Sequence, residues 1–179
     1  MNRITTLLSF ILLFSKADAQ NYQPVDEGSS IKFAIKNFGF TADGRFTGLK
    51  GSIKFDSANS SAASFAVSVN AGSVNTSNQS RDKHLRKEEY FDTEKYTTIN
   101  FTSSSISSTK PGTFLMHGKL TIKGTTKEIS FPFTATAQNS GYLFAGSFKI
   151  NRRDFGIGGS SMVLADNLEV SLSIFGKKN

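Results

Sequence analysis

From Ser30 almost to the last residue the chain repeats one pattern, an apolar side chain followed by a polar one. SIKFAIKN (30–37) sets Ile31, Phe33 and Ile35 against Lys32 and Lys36, and GSIKFD (51–56) sets Ile53 and Phe55 against Lys54. SFAVSVN (64–70), TINFTS (98–103), TFLMHGKLTIKG (113–124), EISFPFTATA (128–137), YLFAGSFKIN (142–151) and LEVSLSIFG (168–176) continue it. A period of two belongs to a strand with one buried and one wet face, the usual condition in an antiparallel sheet. Eight strands are predicted, with turns expected at ADG (42–44), SANSS (57–61), KPG (110–112), GTT (124–126) and NSG (139–141). The Ser-rich SSSISSTK is read as a strand end running into a turn.

Eight strands with one apolar face must fold over or close, and closure also removes the edges at which strands aggregate. A closed barrel is therefore expected. At eight strands the interior either fills with side chains or leaves room for one small ligand, and the alternation alone does not choose between them.

The pattern breaks between the third strand and the fourth, from Ala71 to Thr97, where SRDKHLRKEEYFD (80–92) crowds charges together. A break this long inside a domain carries function or structure of its own. Here the pairs Asp82/Arg86 and His84/Glu88 stand four apart, and Thr76, Ser77 and Ser80 are candidate N-caps. A short helix near 78–89 is predicted, with Leu85 facing inward and Tyr90 and Phe91 pinning its far end against the barrel mouth.

The first residues set the compartment. MNRITTLLSFILLFSKADAQ has an early cation, an apolar run from Ile4 to Phe14 and small residues at Ala17 and Ala19. This reads as a secretory signal peptide (1–19) ahead of one domain (20–179), and it implies a periplasmic protein, true secretion being the alternative. The run is too short to span a bilayer, which takes about 18 apolar residues or more. With no cysteine in the chain, disulfides, thiolate chemistry and a lipidated cysteine are all excluded. The formal charge is +7, of which Arg3, Lys16 and Asp18 in the leader contribute +1, so about +6 remains and favours anionic partners. Of the 17 phenylalanines only Phe10 and Phe14 precede Gln20, so the domain has a phenylalanine-rich interior without tryptophan.

The charged stretch invites sharper readings. Asp82, His84 and Glu88 are too few for a zinc site without cysteine, since the other histidine, His117, lies far along the chain, so no metal is expected. His84 as a general base with Asp82 beside it describes an envelope hydrolase, but no G-x-S-x-G elbow accompanies them. The first choice is structural: Arg81 and Asp82 as a salt-bridged bracket holding the helix over one end of the barrel. DFG (154–156) stands without the other kinase elements and reads as a turn, and the glycines of GIGGSS read as a tight loop before the last strand. The lysines at 32, 36, 54, 119, 123 and 127 mostly alternate with core residues and form a wet outer face. Nucleic acid is not an expected partner, because the aromatics lie opposite those lysines instead of among them. Arg81, His84 and Arg152, with Lys83 and Arg153, are the candidates for a cationic mouth that meets a phosphate head group or, transiently, an anionic membrane surface.

Taken together, SIKFAIKNFGF (30–40), GRFTGLKGSIKFD (44–56), RDKHLRKEEYFD (81–92), INFTS (99–103), GKLTIKGTTKEISFP (118–132) and INRRDFGI (150–157) resemble the YceI-like family of exported polyisoprenoid-binding proteins. The resemblance runs from about Tyr22 to Ile174, and Tyr90 stands where the family more often has Phe. It implies an all-β fold, an eight-stranded antiparallel lipocalin-like barrel with a short helix between the third and fourth strands. It also implies an isoprenoid or fatty lipid in the lumen, no cofactor and no catalysis. On that basis the lumen is expected to be hollow and lined by Phe33, Ile35, Phe55, Phe65, Val67, Phe101, Met116, Leu120, Phe131, Phe144 and Phe148. A solid-core structural or interaction barrel is the competing non-enzymatic reading, and a homodimer is left open.

Overall fold

The alternating stretches do become strands, and they are joined by one more. The computed structural model describes residues 19–179, so the expected leader lies outside the described residues except for Ala19. In chain order the strands are β1 (Gln20–Asn37), β2 (Phe40–Phe46), β3 (Lys50–Phe55), β4 (Ser64–Asn70), β5 (Thr98–Lys110), β6 (Thr113–Ile122), β7 (Thr125–Gln138), β8 (Gly141–Asn151) and β9 (Leu164–Lys178), with helix α1 (Gln79–Leu85) between β4 and β5. They form a single sheet in the order β2-β1-β3-β4-β5-β6-β7-β8-β9, closed by pairing of β1 with β9. The result is an all-β, antiparallel, eight-stranded barrel with β2 laid on as an extra strand.

The supernumerary strand corrects the expected turn at ADG. Residues 42–44 lie in mid-strand, and the chain reverses earlier, at Phe38 (φ 51) and Gly39 (φ 78), a two-residue connection with both residues left-handed. Gly44 has a packing role instead. A Cβ there would sit 2.2 Å from Cζ of Phe33, so the absent side chain lets that ring lie across β2. A glycine inside a strand marks such close approaches as often as it marks a turn. The Ser-rich patch is the expected strand end running into a turn: β5 runs through it to Lys110, and the turn follows at Pro111 and Gly112.

β1 also begins earlier than the alternation indicates. Its first residues, Gln20–Tyr22, pair with β3, and Tyr22–Val25 pair with the end of β9. A bulge between Val25 and Ser30 then redirects it so that Ser30–Asn37 runs along the start of β9. The bulge satisfies its own polar groups. Ser29 Oγ donates to Val25 O at 2.5 Å and accepts from Phe175 N at 2.8 Å, and Asp26 accepts from Gly48 N and Leu49 N, both at 2.9 Å. Because β3 covers only the first residues of β1, the wall beside β2 is completed by the segment 71–97, tied on by the Arg45–Asn75 bridge and by Thr47 N donating to Ser73 Oγ at 2.8 Å.

The two ends of the barrel differ. At one end, where β3 and β7 finish and β6 and β8 begin, Tyr22, Phe55, Phe65, Phe114, Phe133 and Phe144 are buried with Tyr142 packed among them. Phe55 meets Phe114 at 5.2 Å, Tyr142 at 5.2 Å and Phe144 at 5.1 Å, all edge to face. Each such ring stabilises by about 1.5–3 kcal/mol on burial, with about 0.5–1.5 kcal/mol more from an edge-to-face pair. This end is shut. At the other end a second cluster, Val74, Phe91, Ile150, Phe155 and Ile157 among them, packs the covering segments onto the barrel wall.

Candidate functional site

Between the aromatic plug and the opposite rim lies a cavity of about 840 Å³. Its height is set by which strand positions carry large rings. Phe65 and Phe144, 5.0 Å apart and edge to face, face it from the plug, with Phe133 beside them. Above them the inward positions of five strands supply Phe33, Phe101, Met116, Leu120, Phe131 and Phe148. The rings of Phe131 and Phe148 lie 4.7 Å apart and tilted to each other, and Phe101 reaches Phe131 at 6.0 Å. Phe101 lies flat over Gly118, where a Cβ would come within 2.4 Å of the ring. The cavity is of ligand size: pockets for small molecules typically enclose about 300–1,000 Å³.

Of the lining residues expected from the sequence, Phe33, Ile35, Phe65, Val67, Phe101, Met116, Leu120, Phe131, Phe144 and Phe148 lie in this wall. Phe55 does not. It ends β3 opposite Gln20 and is sealed in the plug at 1% exposure, too far down the barrel to reach the cavity. Several wall residues were missed. Ala42 and Phe46 come from β2, where ADG is expected to turn; Ile99 alternates in phase with Phe101, and Leu168, Val170 and Leu172 form the apolar face of β9, from which no lining residue is expected. The signal for the latter was present in the period of two.

The opening is built by α1 and the β1–β2 hairpin. Asn78 caps the helix by accepting from Arg81 N at 3.0 Å, in place of the expected Thr76, Ser77 or Ser80. The helix stops at Leu85, short of the predicted 89, because the chain coils back so that Phe91 N donates to Leu85 O at 3.0 Å and Phe91 becomes buried. Leu85 and Tyr90 face the cavity.

The expected Arg81–Asp82 salt bridge is replaced by a three-membered network through Thr76. Asp82 is buried, and its Oδ1 accepts from Thr76 N at 2.8 Å and Thr76 Oγ1 at 2.6 Å. Arg81 donates from Nε to Thr76 Oγ1 at 2.7 Å and from Nη2 to Thr76 O at 2.8 Å. Arg86 adds bonds to Gly72 O (2.8 Å) and Val74 O (3.1 Å) in place of pairing with Asp82. The helix is thus strapped to the segment before it. The Thr76 hydroxyl bond holds the Asp82 carboxyl below its ordinary pKa, burial opposing and the Thr76 amide, Arg86 and Arg81 assisting.

Asp82 and His84 do not form a dyad. The carboxylate is turned under the helix, whereas His84 is exposed with its ring 4.8 Å from that of Tyr90. Arg152 also departs from the expected role at the mouth. It is 1% exposed and its five donors are all engaged: Nε with Ala165 O (3.0 Å), Nη1 with Ile157 O (2.8 Å) and Gly159 O (2.9 Å), Nη2 with Leu164 O (3.4 Å) and Asp166 Oδ1 (2.9 Å). A guanidinium so committed ties the loop before β9 to the barrel and has no donor left for a head group. Arg153 lies outside the wall, 3.5 Å from Asp166 Oδ2.

What remains at the opening is cationic and polar. Besides the committed Arg152, the charged members of the cavity wall are Lys32, Arg81, Lys83 and Lys87, and among the described residues no Asp or Glu joins them. His84, Thr76, Asn78, Ser80 and Asn37 accompany them. Asn37 Oδ1 is buried in this wall with no hydrogen-bond partner among the described residues.

The site is the interior of a closed antiparallel barrel, plugged at one end and hollow at the other. The model of the YceI-like domain matches residues 22–175, and the chain belongs to that family. A UPF0312 protein of Ectopseudomonas mendocina is 31% identical over 179 residues, covering 95% of this chain and 94% of the relative. One from Shewanella baltica is 30% identical over 169 residues, with 89% and 88% covered. Among solved structures, the YceI protein of Campylobacter jejuni is similar with a TM-score of 0.70 at 28% identity, covering 77% of this chain and 86% of that one. Burkholderia cenocepacia BcnA shares the fold with a TM-score of 0.79 at 23% identity, covering 84% and 98%. A polyisoprenoid binding domain from Saccharophagus degradans, implicated in plant cell wall breakdown, shares it with a TM-score of 0.70 at 15% identity, covering 90% and 99%.

Proposed function

We propose that this chain is an exported, non-catalytic lipid-binding protein that holds a long-chain amphiphile, of the isoprenoid kind or similar, with its tail in the lumen and its head at the mouth. The observation that carries the reading is the cavity itself: about 840 Å³, walled by phenylalanine and aliphatic side chains, blind at the plug and open beside α1. Family membership supports it, as does the shared fold of the Saccharophagus degradans domain, which is described as polyisoprenoid-binding. The mechanism is partition. A tail leaving water for such a slot gains about 0.8 kcal/mol per buried methylene, so ten methylenes offset the several kcal/mol that association costs. The head stays among Arg81, Lys83, His84 and Lys87, whose charge favours an anionic group such as a phosphate or carboxylate. The periplasm is the proposed compartment.

The test is native mass spectrometry of protein purified from its own envelope, followed by organic extraction of whatever it carries. Bound lipid of one chain class is expected. Phe131→Asp and Phe148→Asp place a charge in the wall and are expected to abolish uptake while the exposed surface stays unchanged. A purified protein without lipid that also fails to take any up from a dispersion, or mutants as fully loaded as the parent, would overturn the reading.

A further inference from the structure

The large apolar side chains that stand exposed among the described residues are Phe38 (70%), Phe40 (80%), Met162 (103%) and Val163 (39%), and all of them lie at the mouth end. Phe38 lies in the β1–β2 turn and Phe40 follows it, Met162 and Val163 end the loop before β9, and Phe38 N donating to Val163 O at 2.9 Å joins the two segments. Their sequence neighbours Asn37, Ala42 and Leu164 belong to the cavity wall, so the patch forms part of its rim. Across the opening stand Lys83 and Lys87.

Phe38 is unfavourable for the isolated chain on two counts. Its backbone is left-handed (φ 51), a conformation that bulky side chains resist and glycine or asparagine accepts, and its ring gains nothing from burial at 70% exposure. Neither turn chemistry nor core packing accounts for an aromatic there. Apolar tips and lysines on one rim are the combination that enters the interface of an anionic bilayer, rings at the acyl boundary and ammonium groups at the phosphates. A second copy of this chain is a poorer occupant. A two-fold contact through this patch would bring the lysine-bearing rims of both copies together.

We propose that the mouth end docks on an anionic lipid bilayer, with Phe38, Phe40 and Met162 among the acyl chains and Lys83 and Lys87 over the phosphates, so that the cavity opens into hydrocarbon. Docking stands on the rim alone; the corollary, that the guest is loaded or delivered there without crossing water, rests on the lipid-binding reading above.

The experiment is co-flotation of protein, purified after expression of the full chain, with vesicles of phosphatidylcholine alone or mixed with phosphatidylglycerol. The variants are Phe38→Asn/Phe40→Thr, chosen to suit a left-handed turn and a strand, Met162→Ser and Lys83→Gln/Lys87→Gln. The parent is expected to bind phosphatidylglycerol vesicles and to be released by salt. The aromatic double variant should lose at least about tenfold in partition, Met162→Ser should weaken binding in the same direction, and the lysine pair should lose the preference for phosphatidylglycerol. No binding by the parent, or undiminished binding by the aromatic variant, overturns the proposal. So does a dimer, seen by sedimentation, that dissociates in the aromatic variant. Lipid extracted from the same preparations keeps the two readings apart. A parent that docks but carries and takes up nothing leaves docking intact and ends the lumen reading, whereas a loaded parent that does not dock does the reverse.

Discussion

Asp82 shows how one buried carboxylate organises the covering segment. Its oxygen is held by both the amide and the hydroxyl of Thr76, and Arg81 reaches the same threonine, so replacing Asp82 leaves the buried Thr76 amide without an acceptor and replacing Thr76 takes a side-chain partner from both Asp82 and Arg81. Its folded pKa is lowered, so it contributes stability that is fully present above the ordinary carboxylate value of about 3.9 and is lost as pH falls through that value toward the folded pKa. Asp82→Asn keeps an acceptor for Thr76 but removes the charge. Its melting temperature is expected to lie below the parent's at pH 7, and the gap should shrink steadily between about pH 5 and pH 3. A gap that stays constant over this range would assign the effect to geometry instead of ionisation. Which residues would matter here was half legible. The charged stretch announced a helix and its bracket, but the partner of both Arg81 and Asp82 is a threonine whose role depends on the left-handed turn at Ser77 (φ 60) that follows it. Arg152 was equally opaque, since a one-dimensional pattern does not say that the carbonyls of Ile157, Gly159, Leu164 and Ala165 converge on it.

Among the elements, paired strands carry their own spacing rules. Phenylalanine lies over glycine across a pair in two places, Phe33 over Gly44 and Phe101 over Gly118. Each absent side chain leaves room for a ring that a Cβ would displace. Gly118→Ala is expected to cost about 1–3 kcal/mol by overpacking and to push Phe101 inward. The new Cβ would meet Thr102 O at 2.6 Å as well as the ring, so the backbone offers no easy retreat. Thermal melts and the lipid recovered per protein should fall together in this variant. Unchanged lipid content at lower stability would mean that the ring finds room elsewhere. Strand faces were legible because the period of two is a property of the backbone. β2 was not, because ADG carries the residues of a turn and its glycine serves a neighbour's ring that only pairing brings near.

For the whole molecule, plug and cavity divide the barrel between stability and capacity. A guest that fills the hollow half binds the folded state alone, so it stabilises by mass action, about 2.7 kcal/mol at a hundred times the dissociation constant. Protein stripped of lipid is therefore expected to melt at a lower temperature than protein purified loaded, and to regain the difference as a lipid dispersion is titrated back. Equal melting of stripped and loaded protein would place the lipid on the surface. The effect should be separable from the aromatic end, where Tyr22, Phe55, Phe114 and Tyr142 are packed with or without a guest.

Read residue by residue, the chain carried the alternation, the lack of thiols, the cationic balance and the ordered blocks of a family. These sufficed for a closed antiparallel barrel and for the apolar face of its alternating strands, but not for β2 or for the full wall of the cavity. Alternation assigns a side chain to a face but not to a height along the barrel axis, because every inward position repeats alike. Height follows from the stagger of paired strands, set by the bulge in β1 and the closure of β1 on β9. That stagger put Phe55 in the plug, Phe131 in the wall and Arg152 beneath its loop, and it left Phe38 and Phe40 on the rim.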